Sequence, residues 1–174
     1  MIPTLLHAQL DSITIKKNLA EVNVNAIKAS KNTPIAFTNV KKEEIQKSNL
    51  GQDLPTLLSL TPSIVTTSDA GAGIGYSGFR IRGTDPSRIN VTINGIPLND
   101  SESQGVWWVN MPDFASSLDN IQIQRGVGTS TNGAAAFGAS INLKTIGINK
   151  KAYARTNNSI GSFNTLKNNI ELGT

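Results

Sequence analysis

The chain has 174 residues, enough for one domain with its own core, and it has no cysteine, which excludes a disulfide framework and thiol chemistry. Its formal net charge of +4 combines 16 basic with 12 acidic residues. Few of the basic residues are arginines, and no basic stripe is interleaved with aromatic side chains, so we expect no nucleic-acid partner. No apolar run approaches the ~20 residues of a transmembrane helix, so such a chain would meet a membrane through β-strands or inside a barrel.

The first 31 residues are predicted to form a leader and a mobile arm. Residues 1–8 are apolar but lack a basic residue, so they fit either the remnant of a signal peptide cleaved after Ala8 or a leader without function. Residues 9–31 are polar and rich in lysine, with two short alternating islands at 11–15 and 19–26. Neither island is long enough to fold alone, so we expect both to be mobile.

The next segment is predicted to contain a strand, two helices and a second strand. The strands are placed at residues 34–40 and 63–67. The first helix covers residues 41–50, with Ile45 and Leu50 as its few apolar anchors.

The second helix of this segment is predicted at residues 52–60. Leu54, Leu57 and Leu58 share one face, as expected of residues that pack into a core. Asp53 precedes them and is a candidate cap for the helix.

Residues 68–78 are rich in glycine and contain a match to a nucleotide-binding motif. Residues 73–78 read G-x-G-x-x-G, but that motif binds pyrophosphate only when a helix follows the glycines directly. Here the alternating segment 79–82 follows, which is typical of a strand. We therefore predict a loop between two strands rather than a dinucleotide site.

A strand and a tight turn are predicted next, before a long loop. Apolar and polar residues alternate over 89–93, the pattern of a half-buried strand. Asn94 and Gly95 follow, and both tolerate positive φ, which makes this pair the strongest turn signal in the chain. Residues 99–110 form a polar loop that contains both tryptophans.

The last third of the chain is predicted to contain a short helix at 112–118 and further strands. Two of these strands are placed at 121–125 and 140–145, on either side of a segment of small residues. Residues 152–160 and 163–172 are predicted to form a hairpin of two polar arms, whose partial alternation suits a barrel strand that is apolar outside and polar inside.

Enzyme chemistry has little support in this sequence. The single histidine, His7, lies in the leader, so no Ser-His-Asp set can be assembled, and no His/Cys cluster offers a metal site. Asp100 and Glu102 are neighbours in one polar loop, where a solvated pair is expected rather than a catalytic dyad. We therefore predict a protein that is not an enzyme and that has no metal and no cofactor.

Several motifs, in this order, resemble the plug domain of TonB-dependent outer-membrane receptors. The resemblance spans residues 19–174. It departs from the family at Asn94, where the family usually has Asp, with unchanged turn chemistry, and at Asn23 and Asn25, which lower the β propensity of the second island. The motifs are Ile81-Arg82-Gly83, Val91-Thr92-Ile93-Asn94-Gly95-Ile96-Pro97, Arg125-Gly126 and Phe137-Gly138-Ala139-Ser140-Ile141-Asn142-Leu143.

The resemblance implies an α+β fold, with a small mixed β-sheet and short helices, followed by the first hairpin of a transmembrane β-barrel. Residues 1–18 would be the leader and arm, 19–31 the TonB box and linker, 32–148 the plug, and 149–174 the barrel hairpin. We expect a piece of a longer receptor that does not transport by itself. The receptor would lie in the outer membrane, with its arm in the periplasm; the piece alone would be soluble or periplasmic.

The resemblance also implies a function and partners. The receptor would take up a scarce nutrient, such as an iron–siderophore complex or cobalamin, and TonB would drive this uptake by pairing with the arm through β-strand addition. The alternative is a soluble module that binds a ligand or a partner through its tryptophan loop and has no transport role. The genomic sequence downstream of this chain would separate the two hypotheses.

Three sets of site residues follow from the resemblance. The plug would dock on its missing barrel through two Arg-Gly pairs, and we expect both guanidiniums to be exposed or only loosely paired in this chain. The ligand would meet two loops at one end of the sheet, the first at residues 68–78 and the second at 99–110. Alternatively, one of the two tryptophans packs in the core and does not contact the ligand. The TonB-binding residues are Glu21, Val22, Asn23, Val24, Asn25 and Ala26; the ligand-binding residues are Tyr76, Asp100, Glu102, Trp107 and Trp108; the docking residues are Arg82, Gly83, Arg125 and Gly126.

Overall fold

The computed structural model describes residues 28–128, 136–149, 151–162 and 164–173. Nine strands and two short α-helices occur in these ranges, together with four 3₁₀ turns. The strands are β1 (Phe37–Lys41), β2 (Ile64–Ser68), β3 (Ser77–Ile81), β4 (Ile89–Ile93), β5 (Ile96–Pro97), β6 (Leu118–Arg125), β7 (Ala139–Thr145), β8 (Tyr153–Ile160) and β9 (Leu166–Gly173). The helices are α1 (Lys42–Ser48) and α2 (Leu54–Leu57), and the 3₁₀ turns are Leu58–Leu60, Pro86–Arg88, Trp108–Asn110 and Phe114–Ser117.

A mixed five-stranded sheet organises the fold, in the order β1-β6-β7-β4-β5. Strands β4 and β7 are parallel, and the other neighbours are antiparallel. Two separate hairpins, β2–β3 and β8–β9, accompany this sheet. The predicted α+β architecture with a small mixed sheet is therefore confirmed.

The hydrophobic core lies between one face of the five-stranded sheet and the helices. The register aligns Val91 with Ile141, and Ile141 with Ile123, so that apolar side chains from three strands form one layer. The predicted core leucines Leu54 and Leu58 pack into the same cluster, each 1% exposed. Burial of such side chains is the dominant favourable contribution to folding.

The opposite face of the sheet is polar, and it is also buried. Gln124 and Ser140 are 0% exposed, and Thr92 is 3% exposed. The prediction of a half-buried strand at 89–93 was therefore wrong about the polar side. Buried amides and hydroxyls are tolerated when they bond to one another. Here the Thr92 hydroxyl donates to the Asn142 side-chain carbonyl at 2.7 Å.

The helices are shorter than the sequence predicted. Helix α1 ends at Ser48 because Asn49 leaves the helix and donates from its side-chain amide to Asp113. Leu50 is consequently 59% exposed and is not an anchor. The predicted helix 112–118 is reduced to a 3₁₀ turn that begins after Asp113, a residue with a φ of 49°.

Asp53 occupies the first position before α2, but its carboxylate does not cap the helix. The carboxylate instead accepts a hydrogen bond from the Ser77 hydroxyl at 2.8 Å, and the Asp53 backbone N–H donates to the Gly73 carbonyl at 2.8 Å. Asp53 therefore fixes the glycine-rich loop at two points. That loop leads directly into β3, so the predicted strand after the glycines is confirmed, and the glycines are not followed by the helix that the nucleotide-binding motif needs.

The hairpin β8–β9 is amphipathic, but it is inverted relative to a soluble protein: polar side chains face the rest of the molecule and apolar ones face outward. Along β9, the residues that alternate inward, such as Lys167 and Glu171, are partly covered by the rest of the molecule. The residues that alternate outward, such as Ile170 and Leu172, are each 73% exposed. The hairpin therefore turns its charged side to the sheet and helices. Its outer face is mostly apolar and is interrupted by the pair Asn158 and Asn168.

Candidate functional sites

The predicted TonB-binding residues 21–26 lie outside the described residues. The next residues, from Lys28 onward, contact the polar face of the sheet. The side-chain amide of Gln122 accepts from the Ala29 backbone N–H at 2.7 Å and donates to the Ala29 carbonyl at 3.0 Å. The Gln122 side chain thus bonds both backbone groups of Ala29, as a neighbouring strand would, at the point where the arm meets the sheet.

Arg82 and Gly83 are the two central residues of a tight turn. Their φ angles are 53° and 77°, and the Thr84 N–H donates to the Ile81 carbonyl at 3.0 Å. Positive φ at both central residues is the signature of a type I′ turn, which Asn94 and Gly95 also form, with φ angles of 51° and 88°. An arginine in this region is uncommon and costs about 1–2 kcal/mol. Such strained residues cluster at functional sites.

Arg125 is half-buried at the end of β6. Its guanidinium donates to the Thr38 hydroxyl at 2.6 Å and to the Pro62 carbonyl at 3.2 Å. Burial lowers the pKa of Arg125 below that of a free guanidinium, and the positive charge of Arg82 lowers it further. Arg125 is therefore held by neutral acceptors, whereas the expectation of an exposed guanidinium holds for Arg82.

The structure brings the two Arg-Gly pairs together. A Cβ atom built on Gly126 would lie 3.9 Å from Nη1 of Arg82, so this guanidinium lies against the Gly126 backbone. Within the described ranges, neither Arg82 nor Arg125 forms an ion pair with a carboxylate. Two like charges thus share one corner of the fold without an acidic partner, which is an electrostatic arrangement that favours binding of an anion.

The predicted ligand-binding aromatic residues fall into two groups. Tyr76 is 63% exposed and Trp107 is 54% exposed, so both offer contact surface. Trp108 is 4% exposed and packs on Phe79, with ring centroids 5.5 Å apart. Trp108 is therefore the tryptophan that packs in the core. Its contact with Phe79 joins the loop at 99–110 to β3, the strand that follows the loop at 68–78.

The acidic residues of the loop at 99–110, Asp100 and Glu102, lie in a local turn. One carboxylate oxygen of Asp100 accepts from the backbone N–H groups of Ser103, at 2.7 Å, and Glu102, at 3.0 Å. These hydrogen bonds, that from the Ser103 backbone first, lower the pKa of Asp100. Both Asp100 and Glu102 are exposed.

Asn99, which the sequence did not single out, positions this loop. Its side-chain amide accepts from the Val91 N–H at 2.8 Å and donates to the Ile89 carbonyl at 2.9 Å, so it completes the hydrogen bonding of β4 beyond the end of β5. Gln122 plays the same part for the arm. Neither role could be predicted from the sequence, because an Asn or Gln that bonds to a backbone segment looks the same in the sequence as one that faces solvent.

Two general site types are absent from the part of the chain that the structure describes. It contains no group of three His, Cys, Asp or Glu side chains arranged to hold a metal ion. It also contains no helix of the length and apolar character needed to cross a membrane.

The chain is similar to known proteins in sequence and in structure. Residues 29–140, more than half of the chain, match the family model of the TonB-dependent receptor plug domain. The vitamin B12 transporter BtuB of Vibrio vulnificus (strain YJ016) is 28% identical over 161 residues, which cover 90% of this chain and 25% of the transporter. The chain therefore spans about a quarter of the length of this relative.

Solved structures show the same fold. The ferripyoverdine receptor of the outer membrane of Pseudomonas aeruginosa superposes with a TM-score of 0.64 and 17% identity, over 83% of this chain and 18% of that receptor. The alcaligin outer-membrane receptor FauA of Bordetella pertussis gives a TM-score of 0.63 and 22% identity, over 83% and 24% of the two chains. The family match and the shared plug fold lead to one conclusion: this chain belongs to the TonB-dependent receptor plug domain family.

Proposed function

We propose that this chain is the plug of an outer-membrane receptor that gates the TonB-driven uptake of a scarce nutrient, such as an iron–siderophore complex or cobalamin. The observation that carries the proposal is the inverted hairpin β8–β9. A barrel strand that encloses a polar plug and faces lipid on its other side needs polar side chains inside and apolar ones outside. A soluble module would gain more free energy by turning Ile170 and Leu172 towards its own core.

In this proposal the plug lies in the lumen of a barrel in the outer membrane, and the arm reaches into the periplasm. The proposal also holds that the present chain alone is soluble or periplasmic and does not transport; the two described strands β8 and β9 leave unpaired edges and do not enclose a lumen. The relatives in the comparisons are transporters and receptors, which favours a binding and gating function over catalysis.

The arm, residues 21–26, is proposed to bind the C-terminal domain of TonB as an added β-strand. The Gln122 contact supports this role, because it fixes the chain at Ala29, three residues after the proposed segment, by hydrogen bonds from one side chain. β-strand addition depends on free backbone N–H and C=O groups.

Proline substitution in the arm tests this step. In a receptor that carries this chain, Val24→Pro should abolish uptake and cross-linking to TonB while ligand affinity stays unchanged, because proline removes a backbone donor and fixes φ. Val24→Ala, which keeps the backbone donor, should retain uptake. If Val24→Pro has no effect, the TonB box lies elsewhere, and residues 13–15 are the next candidate.

The ligand is proposed to meet the plug at residues 68–78 and 99–110. Tyr76 and Trp107 offer exposed aromatic surface, and Asp100 and Glu102 offer acceptors. The contact between Phe79 and Trp108 supports a common location for the two loops. Trp108 supports the loop from below rather than contacting the ligand.

Ligand affinity tests this face. In the receptor, Tyr76→Ala with Trp107→Ala should weaken binding of the transported iron–siderophore or cobalamin at least about tenfold, since each aromatic residue contributes contact area. Trp108→Phe, which changes a buried aromatic residue, serves as the control and should leave affinity unchanged. Unchanged affinity in the double variant would remove both residues from the ligand site.

Arg82, Gly83, Arg125 and Gly126 are proposed to dock the plug on acidic residues of the barrel wall. The support is that two guanidiniums share one corner of the fold, one of them on a strained turn, and that neither forms an ion pair with a carboxylate of the described residues. Planar guanidiniums pair with carboxylates in a bidentate manner, which lysine does not reproduce.

Amide exchange tests the docking. Arg82→Ala should leave the stability of the present chain unchanged, because Arg82 is exposed, and should speed amide exchange at Gly83 and Gly126 in the complete receptor. Arg80→Ala removes a nearby exposed arginine and is the matched control, with no expected effect in the receptor. Equal destabilisation of both contexts by Arg82→Ala would show that Arg82 is an internal strut of the plug.

A further inference from the structure

Within the described residues, the hairpin β8–β9 pairs with no third strand, so its attachment to the plug needs a physical explanation. Two-stranded hairpins are marginally stable in water. The apolar side chains of this hairpin face away from the plug, so hydrophobic burial does not hold the two together. A cavity of about 350 Å³, lined by polar side chains such as Gln46, Asn157 and Asn169, also lies between them.

A cluster of four polar side chains bridges the plug and the hairpin. The ammonium group of Lys167 donates to the Asp113 carboxylate at 2.7 Å and to the Ser116 hydroxyl at 3.0 Å. The Asn49 amide donates to the same two oxygens, at 3.0 Å each. The lysine side chain is 13% exposed, so its charge is largely withdrawn from water.

The plug elements are shaped around this cluster. Asn49 leaves the end of α1 to reach it, and Asp113 adopts a φ of 49° at the start of its 3₁₀ turn. A non-glycine residue in that conformation is strained and persists when its surroundings require it. The Ser116 hydroxyl completes the arrangement by donating to the Asp113 carboxylate at 2.8 Å.

A second, looser pair lies four residues further along β9. Glu171 lies 3.8 Å from the Lys42 ammonium group of α1 and 3.9 Å from Arg155 on β8. The inner face of the hairpin therefore presents a base and an acid, each opposite the complementary charge of the plug.

We propose that Asp113 and Lys167, held by Asn49 and Ser116, form a second plug–wall docking site whose polarity is the reverse of the arginine sites. At the arginine corner the plug would provide the base and the wall the acid; here the plug provides the acid and the wall provides the base. Both partners belong to this chain, so this site can form before any later strand is present. The designation of β8–β9 as barrel wall rests on the proposed function, whereas the contact itself does not.

Hydrogen exchange of the present 174-residue chain tests the site without ligand, TonB or further strands. Lys167→Met keeps the aliphatic stem and removes the charge. It should speed exchange of the β8–β9 amides by about tenfold or more, the effect of losing hydrogen bonds to a charged group, while β6 and β7 keep their protection. Asp113→Asn should act in the same direction, and the double variant should add little to either single change, because the contact is already lost.

Lys151→Met removes an exposed lysine at the base of the same hairpin and is the matched control, which should leave exchange unchanged. The proposal is overturned if Lys167→Met behaves like Lys151→Met. It is also overturned if β6 and β7 lose protection to the same extent as the hairpin, since Lys167 would then support the whole molecule rather than the joint. Failure of the uptake experiments would leave this result untouched, so the two proposals fail separately.

Discussion

At the scale of single residues, one glycine is required by close approach rather than by backbone angle. A Cβ built on Gly138 would lie 2.6 Å from the Cβ of Thr84, in the segment that joins the small-residue stretch to β7. Gly138→Ala should therefore destabilise the chain by about 1–3 kcal/mol, the usual cost of overpacking. Denaturant unfolding measures this change.

Gly147→Ala is the matched control, because nothing lies within 4 Å of a Cβ at that position. Its effect should stay within about 0.5 kcal/mol, as for most surface substitutions. An equal loss of stability in both variants would mean that the loss does not arise from the contact with Thr84.

The Asp113 carboxylate makes the joint between plug and hairpin sensitive to acid. Burial by itself raises the pKa of Asp113, but the hydrogen bonds from Lys167, Ser116 and Asn49 outweigh it, and the pKa lies below its usual value. A depressed pKa in the folded state contributes stability above the unfolded pKa of about 3.9 and loses it as the pH falls through the folded value.

The difference in unfolding midpoint between the native chain and Asp113→Asn should therefore be constant above about pH 5 and should shrink below about pH 4. Urea unfolding at a series of pH values measures it. A difference that persists unchanged into strong acid would show that the Asp113 charge contributes nothing to the joint.

At the scale of elements, the outer face of the hairpin is an apolar surface without a partner in the described residues. Ile170→Thr with Leu172→Thr keeps the β-propensity of β9 while removing much of this apolar surface. The variant should bind fewer detergent molecules than the native chain in a maltoside micelle, measured by sedimentation, because micelle binding scales with apolar area.

Leu60 and Ile148 provide the control for this experiment. They are 93% and 96% exposed, and they lie outside the hairpin. Leu60→Thr with Ile148→Thr should leave detergent binding nearly unchanged. A loss equal to that of the hairpin variant would mean that micelles respond to scattered apolar residues and not to an organised face.

At the scale of the whole molecule, the chain should unfold in two steps. Strands β6 and β7 lie at the centre of the five-stranded sheet and carry most of its core, whereas β8 and β9 form a separate hairpin with a polar joint. Cooperative units of this kind open independently when few apolar contacts connect them.

Native-state hydrogen exchange at increasing denaturant measures this order. The β8–β9 amides should lose protection at lower denaturant than those of β6 and β7, and β1, an edge strand, should fall between them. If the amides of β8–β9, β1 and β6–β7 all showed the same dependence of exchange on denaturant, the hairpin would be attached as stably as the core itself.

Local patterns in the sequence predicted most of the elements and the family. The turn at Asn94 and Gly95 was predictable because positive φ is a local property of two residues. The core leucines of α2 and the inverted hairpin were predictable because alternation along a helix or strand states which face is apolar. The ordered Arg-Gly and Ile-Asn motifs predicted the plug, which the family match and the fold confirm.

Tertiary structure alone decided which polar groups meet. Nothing local to Gln122 or Asn99 indicates that their amides hold the arm and the edge of β4, since the partners lie far away in sequence or beyond a turn. The same holds for Lys167, which reaches Asp113 across 54 residues. Tertiary packing also decided that Trp108 is buried and Trp107 is exposed, because adjacent identical residues carry no pattern that separates them. Hydrophobic periodicity reports the face of one element, whereas hydrogen bonds and ion pairs depend on how several elements are brought together.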